Sequence, residues 1–184
     1  MEDLLMATKH NRNDVRRRAV RDEIWPDAKQ VIFDVEDRAT KGYFRAPRCV
    51  PMVASLINEL GRENAGPLYI ELWAQNRGQS LVEPEPRLTM YRAGYTTRSR
   101  LERTWRERMK ILVERGFVKT SEKGLDEHGY VLLLDPHLAV LRLSQTGLPD
   151  SIDRAWMGIF RQLCEQSGVE LSRYEESLAE EVGR

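Results

Sequence analysis

Along PMVASLINELG, residues 51–61, the apolar positions Val53, Leu56, Ile57 and Leu60 recur at the three- and four-residue spacing of one helix face. Proline suits a first helical turn and Gly61 supplies a stop, so the pattern predicts a helix. After the turn RENAGP, LYIELWAQN places Leu68, Leu72 and Trp73 at helical spacing and predicts a second. The two prolines of SLVEPEP predict a short extended piece, and RLTMYRAG predicts a short helix closed by Gly94. In TTRSRLERTWRERMKILVERGFV, residues 96–118, Leu101, Trp105, Met109 and Leu112 fall on a narrow arc of the helical wheel. Ser99 and Glu102 have capping-box spacing, which starts this helix near Ser99, with Thr96 or Thr97 as alternative caps, and Gly116 ends it. FVKT and YVLLLD, separated by SEKGLDEHG, predict a β-hairpin directly afterwards.

The flanks carry weaker patterns. Residues 1–22 are polar and read as a mobile arm or a short helix. The cluster Val31, Ile32, Phe33 and Val35 reads as a strand or as a piece packed on the core, with strand preferred. SQTGLPDS, residues 144–151, reads as a linker. Beyond it Ile152, Trp156, Ile159, Phe160 and Leu163 trace an apolar helix face, followed by a more acidic helix in ELSRYEESLAEEVG. The expected fold class is mainly α with a small β-hairpin, α+β, divided into a basic N-terminal extension (1–41), a central domain (42–143) and a C-terminal helical extension (144–184). These C-terminal helices either pack back on the core, the commoner arrangement, or form a homodimer interface.

At 184 residues, 41% hydrophobic and 32% charged, the chain suits one globular domain with extensions, or one domain and a small appendage, better than a disordered chain or a membrane protein. No apolar run approaches a membrane span, and the acidic start MEDLLMATKHNRND is unlike a signal peptide, so a soluble cytoplasmic protein is expected. Cys49 and Cys164 fit no metal-ligand spacing and are expected to be reduced thiols.

The formal charge is zero, from 29 basic and 29 acidic residues, and says nothing about a partner; its distribution does. Between Arg87 and Lys119 stand 10 basic residues against Glu102, Glu107 and Glu114, a local excess of 7 positive charges. On the wheel of the Leu101 helix, Arg100, Arg103, Arg106 and Lys110 lie opposite the apolar arc. Such a face is either simply solvated, its three glutamates forming intrahelical pairs, Glu102 with Arg106 and Glu107 or Glu114 with neighbours, or presented to an anion.

A short helix, a glycine turn, a longer helix with basic residues outward and a hairpin together resemble the winged helix-turn-helix family. The resemblance covers roughly Val50 to Leu143, with RAGYTTRSRLERTWRERM as turn and recognition helix and RGFVKTSEKGLDEHGYVLLLD as wing. It is loosely similar to winged-helix proteins of bacterial plasmids and mobile elements. What the resemblance implies is double-stranded DNA as partner, with Thr96, Thr97, Arg98, Ser99, Arg100, Arg103, Arg106 and Lys110 facing it and Lys119 and Lys123 on the wing. A transcriptional regulator or an accessory replication or maintenance factor is then expected. The wing departs from that pattern, because Glu122, Asp126 and Glu127 stand against Lys123 and His128, and an acidic tip is repelled by phosphate.

Further basic groups are candidates for arm contacts: Arg16, Arg17 and Arg18, interleaved with acids and better read as a solvated helix, and Arg45 and Arg48, which serve phosphate contacts or salt bridges equally well. Trp73 and Trp105 read as core. His10, His128 and His137 are scattered and read as surface residues, and Glu83 and Glu85 as capping or solvated carboxylates. No nucleophile, general base, metal or cofactor site emerges, so an enzyme is not expected. The competing reading is a protein-interaction module in which the acidic wing and tail recruit a partner or build an assembly.

Overall fold

The computed structural model describes residues 15, 16, 19–21, 23, 24, 44–61, 64–77, 79–96, 100–146, 152 and 154–182. The chain forms two compact units, Met1–Tyr43 and Phe44–Arg184. In the first, all seven described residues are helical, which fits the helix option for this segment; the expected strand over Val31–Val35 lies outside the described residues.

The second unit is mainly helical with a small antiparallel sheet, an α+β architecture. Its elements are α1 (Val50–Leu60), α2 (Gly66–Gln75), β1 (Leu81–Val82), α3 (Pro86–Arg92), α4 (Leu101–Glu114), β2 (Val118–Lys123), β3 (Asp126–Leu133), α5 (Pro136–Thr146), α6 (Arg154–Gln166) and α7 (Leu171–Val182). The apolar positions of α1 and α2 that set the sequence pattern are the ones buried: Val53, Leu56, Ile57 and Leu60 in α1, Leu68, Leu72 and Trp73 in α2. The two helices pack closely at Gly66, where an added Cβ would lie 2.3 Å from the Ala54 carbonyl oxygen. Its amide donates to Asn58 Oδ1 at 2.7 Å, so a side chain of α1 satisfies an orphan donor at the start of α2.

Glu85 caps α3, its carboxylate accepting from the amides of Arg87 (3.2 Å) and Leu88 (2.7 Å). The helix closes in a Schellman motif: Gly94 takes φ +88°, and the amides of Gly94 and Tyr95 donate to the carbonyls of Tyr91 and Met90. The same closure ends α4, with Gly116 at φ +73° and the Phe117 amide on the Leu112 carbonyl. Phe117 and Leu112 are both fully buried, the apolar contact that accompanies this motif.

The sheet has the order β1-β3-β2. The hairpin β2-β3 is longer than the two apolar runs that announced it, and β1 adds a third strand through Leu81↔Leu132 and Val82↔Val131. The β2–β3 register is irregular between Ser121 and Lys123. Gly129 faces this irregularity, and an added Cβ there would meet the Lys123 Cβ at 2.2 Å, so Lys123 occupies the space a side chain would need.

Helix α5 was not legible in the sequence, and its last turn, residues 144–146, replaces the start of the expected linker; residues 147–150 lie outside the described residues. The C-terminal helices pack on the same core as the rest of the unit: Ile152, Phe160, Cys164, Leu171 and Leu178 belong to one continuous apolar cluster with Leu56, Tyr69 and Phe117. Among the described residues no helix is long and apolar enough to cross a membrane.

Candidate nucleic-acid interface

Helix α4 turns its apolar arc inward and its cations outward. Leu101, Trp105, Met109 and Leu112 are buried, while Arg100, Arg103, Arg106 and Lys110 are exposed. The separation follows from the wheel alone, since these four cations lie on the half away from the arc. The helix begins at Leu101 with Arg100 at the cap and no side-chain cap bond there. The expected Ser99–Glu102 capping box, and with it Thr97, Arg98 and Ser99, lies outside the described residues, whereas Thr96 is exposed after the glycine turn.

Of the pairs expected within α4, those of Glu107 and Glu114 with neighbours are present, whereas Glu102–Arg106 is not among the ion pairs of the described residues. Arg103 Nε bonds Glu107 Oε1 at 2.6 Å, which raises the guanidinium pKa further, and Lys110 Nζ stands 3.6 Å from Glu114. Among the described residues Arg100 and Arg106 make no ion pair. Two members of the basic block serve the fold instead. Arg108 is half-buried with its guanidinium over the Tyr95 ring, 5.9 Å from the centroid, and burial lowers its pKa. Arg115 donates to the Leu60 carbonyl at 3.2 Å and so closes the end of α1. Tyr95 also donates its hydroxyl to the Asn64 carbonyl, which ties the α3–α4 turn to the segment before α2.

On the hairpin, Lys119 is exposed, but Lys123 bonds Glu83 Oε2 at 2.6 Å and lies 5.4 Å from the centroid of the Tyr130 ring. Glu85 thus takes the capping role expected of it, whereas Glu83, expected as a capping or solvated carboxylate, is ion-paired. His128 is a correction: it is buried, 6.3 Å from Trp105 in an edge-on contact, with Nδ1 3.2 Å from Thr120 Oγ1. It pins the hairpin to α4. Between the start of α3, α4 and the hairpin turn lies a groove of about 540 Å³. Its lining carries the carboxylates of Glu85, Glu102, Asp126 and Glu127 against the guanidiniums of Arg87 and Arg106, an acidic balance beside a basic helix. Leu125 at the hairpin turn is fully exposed.

Of the outlying candidates, Arg16 is exposed in the first unit, Arg17 and Arg18 lie outside the described residues, and Arg45 and Arg48 are exposed ahead of α1. Arg87 and Arg92, exposed on α3, were missed as candidates; Arg87 lies just after the proline that opens that helix and shares the groove with Arg106.

His137 is the second correction. It is buried and links Cys49 to Asp135, with Nε2 3.3 Å from Cys49 Sγ and Nδ1 2.8 Å from Asp135 Oδ1. With Asp135 ionised, Nδ1 carries the proton and Nε2 accepts from the thiol. The order Cys, His, Asp is that of a nucleophile with its base and orienter, but Cys49 is 1% exposed and burial pushes its thiol up to about 12. A thiol without access or thiolate character is structural. Among the described residues no group of three His, Cys, Asp or Glu could hold a metal ion.

Asp135 completes the link: its Oδ2 accepts from Tyr174 of α7 at 2.9 Å and its Oδ1 from the His137 amide at 2.8 Å, which caps α5. Burial acts to raise this carboxyl, but the hydrogen bonds from His137 and Tyr174 outweigh it and hold it below the ordinary range. A depressed folded pKa means stability that is full above the unfolded value, about 4, and is lost as pH falls through the folded one. The urea midpoint of the wild type is therefore expected to fall on acidification below about pH 4 more steeply than that of Asp135→Asn. Parallel curves for the two proteins would show that the carboxylate contributes nothing to this junction.

No protein-family model, curated protein or solved structure matches the chain.

Proposed function

We propose that the protein binds double-stranded DNA in a sequence-specific manner through the outer face of α4, on a winged helix-turn-helix core. In this reading α3, the Gly94 turn and α4 are the helix pair, and β2-β3 is the wing. The observation that carries it is the exposure of Arg100, Arg103, Arg106 and Lys110 on one face of a helix whose other face is core. Arginine forks clamp phosphates or read guanine by paired hydrogen bonds, and the first turn of α4 adds orphan amides that favour an anion. The Arg103–Glu107 and Lys110–Glu114 pairs are exposed and cost little to open. The role that fits is a cytoplasmic transcriptional regulator, or an accessory replication or maintenance factor of a bacterial mobile element. A homodimer through the outer side of the C-terminal helices, where Ile159 is exposed, would place two copies of α4 on two half-sites.

The second reading, a winged-helix module that recruits a protein partner or builds an assembly, is favoured by the acidic lining of the groove beside α4. Fluorescence anisotropy on random duplex and on the DNA upstream of the coding sequence, across a salt series, separates the two. Salt-sensitive binding with preference for the upstream duplex supports the DNA reading. Absence of binding down to low salt overturns it and leaves the basic face to an acidic protein surface.

A further inference from the structure

The hairpin carries Lys119 and Lys123 against Glu122, Asp126 and Glu127. Of its two cations, Lys123 is held on several sides at once. Glu83, which follows β1, bonds its ammonium at 2.6 Å across 40 positions of sequence. The Tyr130 ring lies under the charge at 5.4 Å, and the absent side chain of Gly129 gives the Lys123 backbone and Cβ their place at the irregularity of β2. The cations of the Glu107 and Glu114 pairs are 79% and 71% exposed and meet neighbours one turn apart on a single helix, whereas Lys123 is 52% exposed and also rests on the Tyr130 ring, so exchanging its carboxylate for a phosphate gives up more. Glu83 instead ties the hairpin to the strand at the far edge of the sheet, where β1 is only two residues long.

Resting on the DNA reading of α4, we infer that Glu83 is a positioning residue that stands in for a backbone phosphate: it satisfies Lys123 within the molecule and withholds it from DNA. With Lys123 neutralised, the hairpin presents Lys119 against three carboxylates and is repelled by a polyanion. Binding is then borne by α4, and the hairpin sets the angle of that helix through His128 and Trp105 without touching phosphate. The chemistry that decides this is a single carboxylate: its removal releases the Lys123 ammonium to a phosphate, while Glu122, Asp126 and Glu127 keep the rest of the hairpin turn away from it.

The test is a double-mutant cycle on the full chain, with anisotropy on one duplex measured from about 50 to 200 mM salt. Each phosphate contact contributes a slope near −0.9, equivalent to a roughly three- to fourfold loss of affinity over that range. Lys123→Ala is expected to leave the wild-type slope unchanged. Glu83→Gln is expected to tighten binding at low salt and steepen the slope by about 0.9, and Glu83→Gln/Lys123→Ala to return to the wild-type slope. Glu122→Gln, which neutralises a neighbouring exposed carboxylate, gives the general electrostatic gain, and that gain is expected to survive Lys123→Ala. A fall in slope for Lys123→Ala alone overturns the inference. So does a Glu83→Gln gain that persists without Lys123, or no gain at all. If wild type and variants alike fail to bind at low salt, the DNA reading itself falls and takes this inference with it. Titration of the Lys123 ammonium by NMR checks the pair apart from DNA: Glu83 raises its pKa, and Glu83→Gln is expected to lower it. An unmoved titration would show that the pair does not form, and would overturn the inference without bearing on α4.

Discussion

Trp105→Ala is expected to lower the stability of the protein by about 3–5 kcal/mol, measured by urea or thermal denaturation. The ring is 3% exposed and lies in the row Leu101, Met109 and Leu112 that seats α4 on the core. Truncation removes its transfer free energy and leaves a cavity that neighbours fill only partly. It also removes the edge contact with His128, so loosening should spread to the hairpin and appear as faster amide exchange in β3. Trp105→Phe is expected to cost less, because it keeps an aromatic ring and drops an indole N–H that has no hydrogen-bond partner among the described residues. A Trp105→Ala variant that melts like wild type would mean that α4 is rotated about its axis. The assignment of cations to its outer face would then fail as well.

The second large effect concerns binding. Replacing Arg100, Arg103, Arg106 and Lys110 together by alanine is expected to leave the fold intact, since all four are exposed and surface ion pairs between neighbours on one helix hold a fold only weakly. If each neutralises one phosphate, the variant loses about 3 to 4 units of salt slope. Duplex affinity at about 150 mM salt then falls by on the order of a hundredfold or more. Unchanged affinity in a variant with wild-type circular dichroism would take α4 out of the interface.

The sequence made legible what depends on near neighbours along the chain. The arc of α4 and the stops at Gly94 and Gly116 are local events, set by side-chain spacing and by backbone conformations that favour glycine. Helix α5 escaped because its first two turns are buried almost all round, at Pro136, His137, Ala139, Val140, Leu141 and Leu143, and its exposed polar residues, Arg142 and residues 144–146, gather at its end and set no period. Asp135 before Pro136 was its remaining local signal, a capping residue ahead of a first-turn proline. The two histidines were misread for a related reason. A histidine is buried when something distant satisfies it, and the Cys49 thiol lies 88 positions from His137. For the candidate site, the charge of α4 was readable but its internal partners were not. That Arg108 lies over Tyr95, that Arg115 closes α1 and that Glu83 holds Lys123 depend on how the turn, the helices and the sheet pack.

The junction of Cys49, His137, Asp135 and Tyr174 gives the protein a built-in clock. Both thiols are about 1% exposed, and a disulfide reagent reaches a sulfur only when its cover has moved away. Cys164 lies on α6 and Cys49 at the start of α1, so the labelling times of the two compare the excursions of the C-terminal helices with those of the core beneath them. If the tail lifts off as a unit, Cys164 reacts well ahead of Cys49. If the unit opens only as a whole, the two react together at the rate of global unfolding.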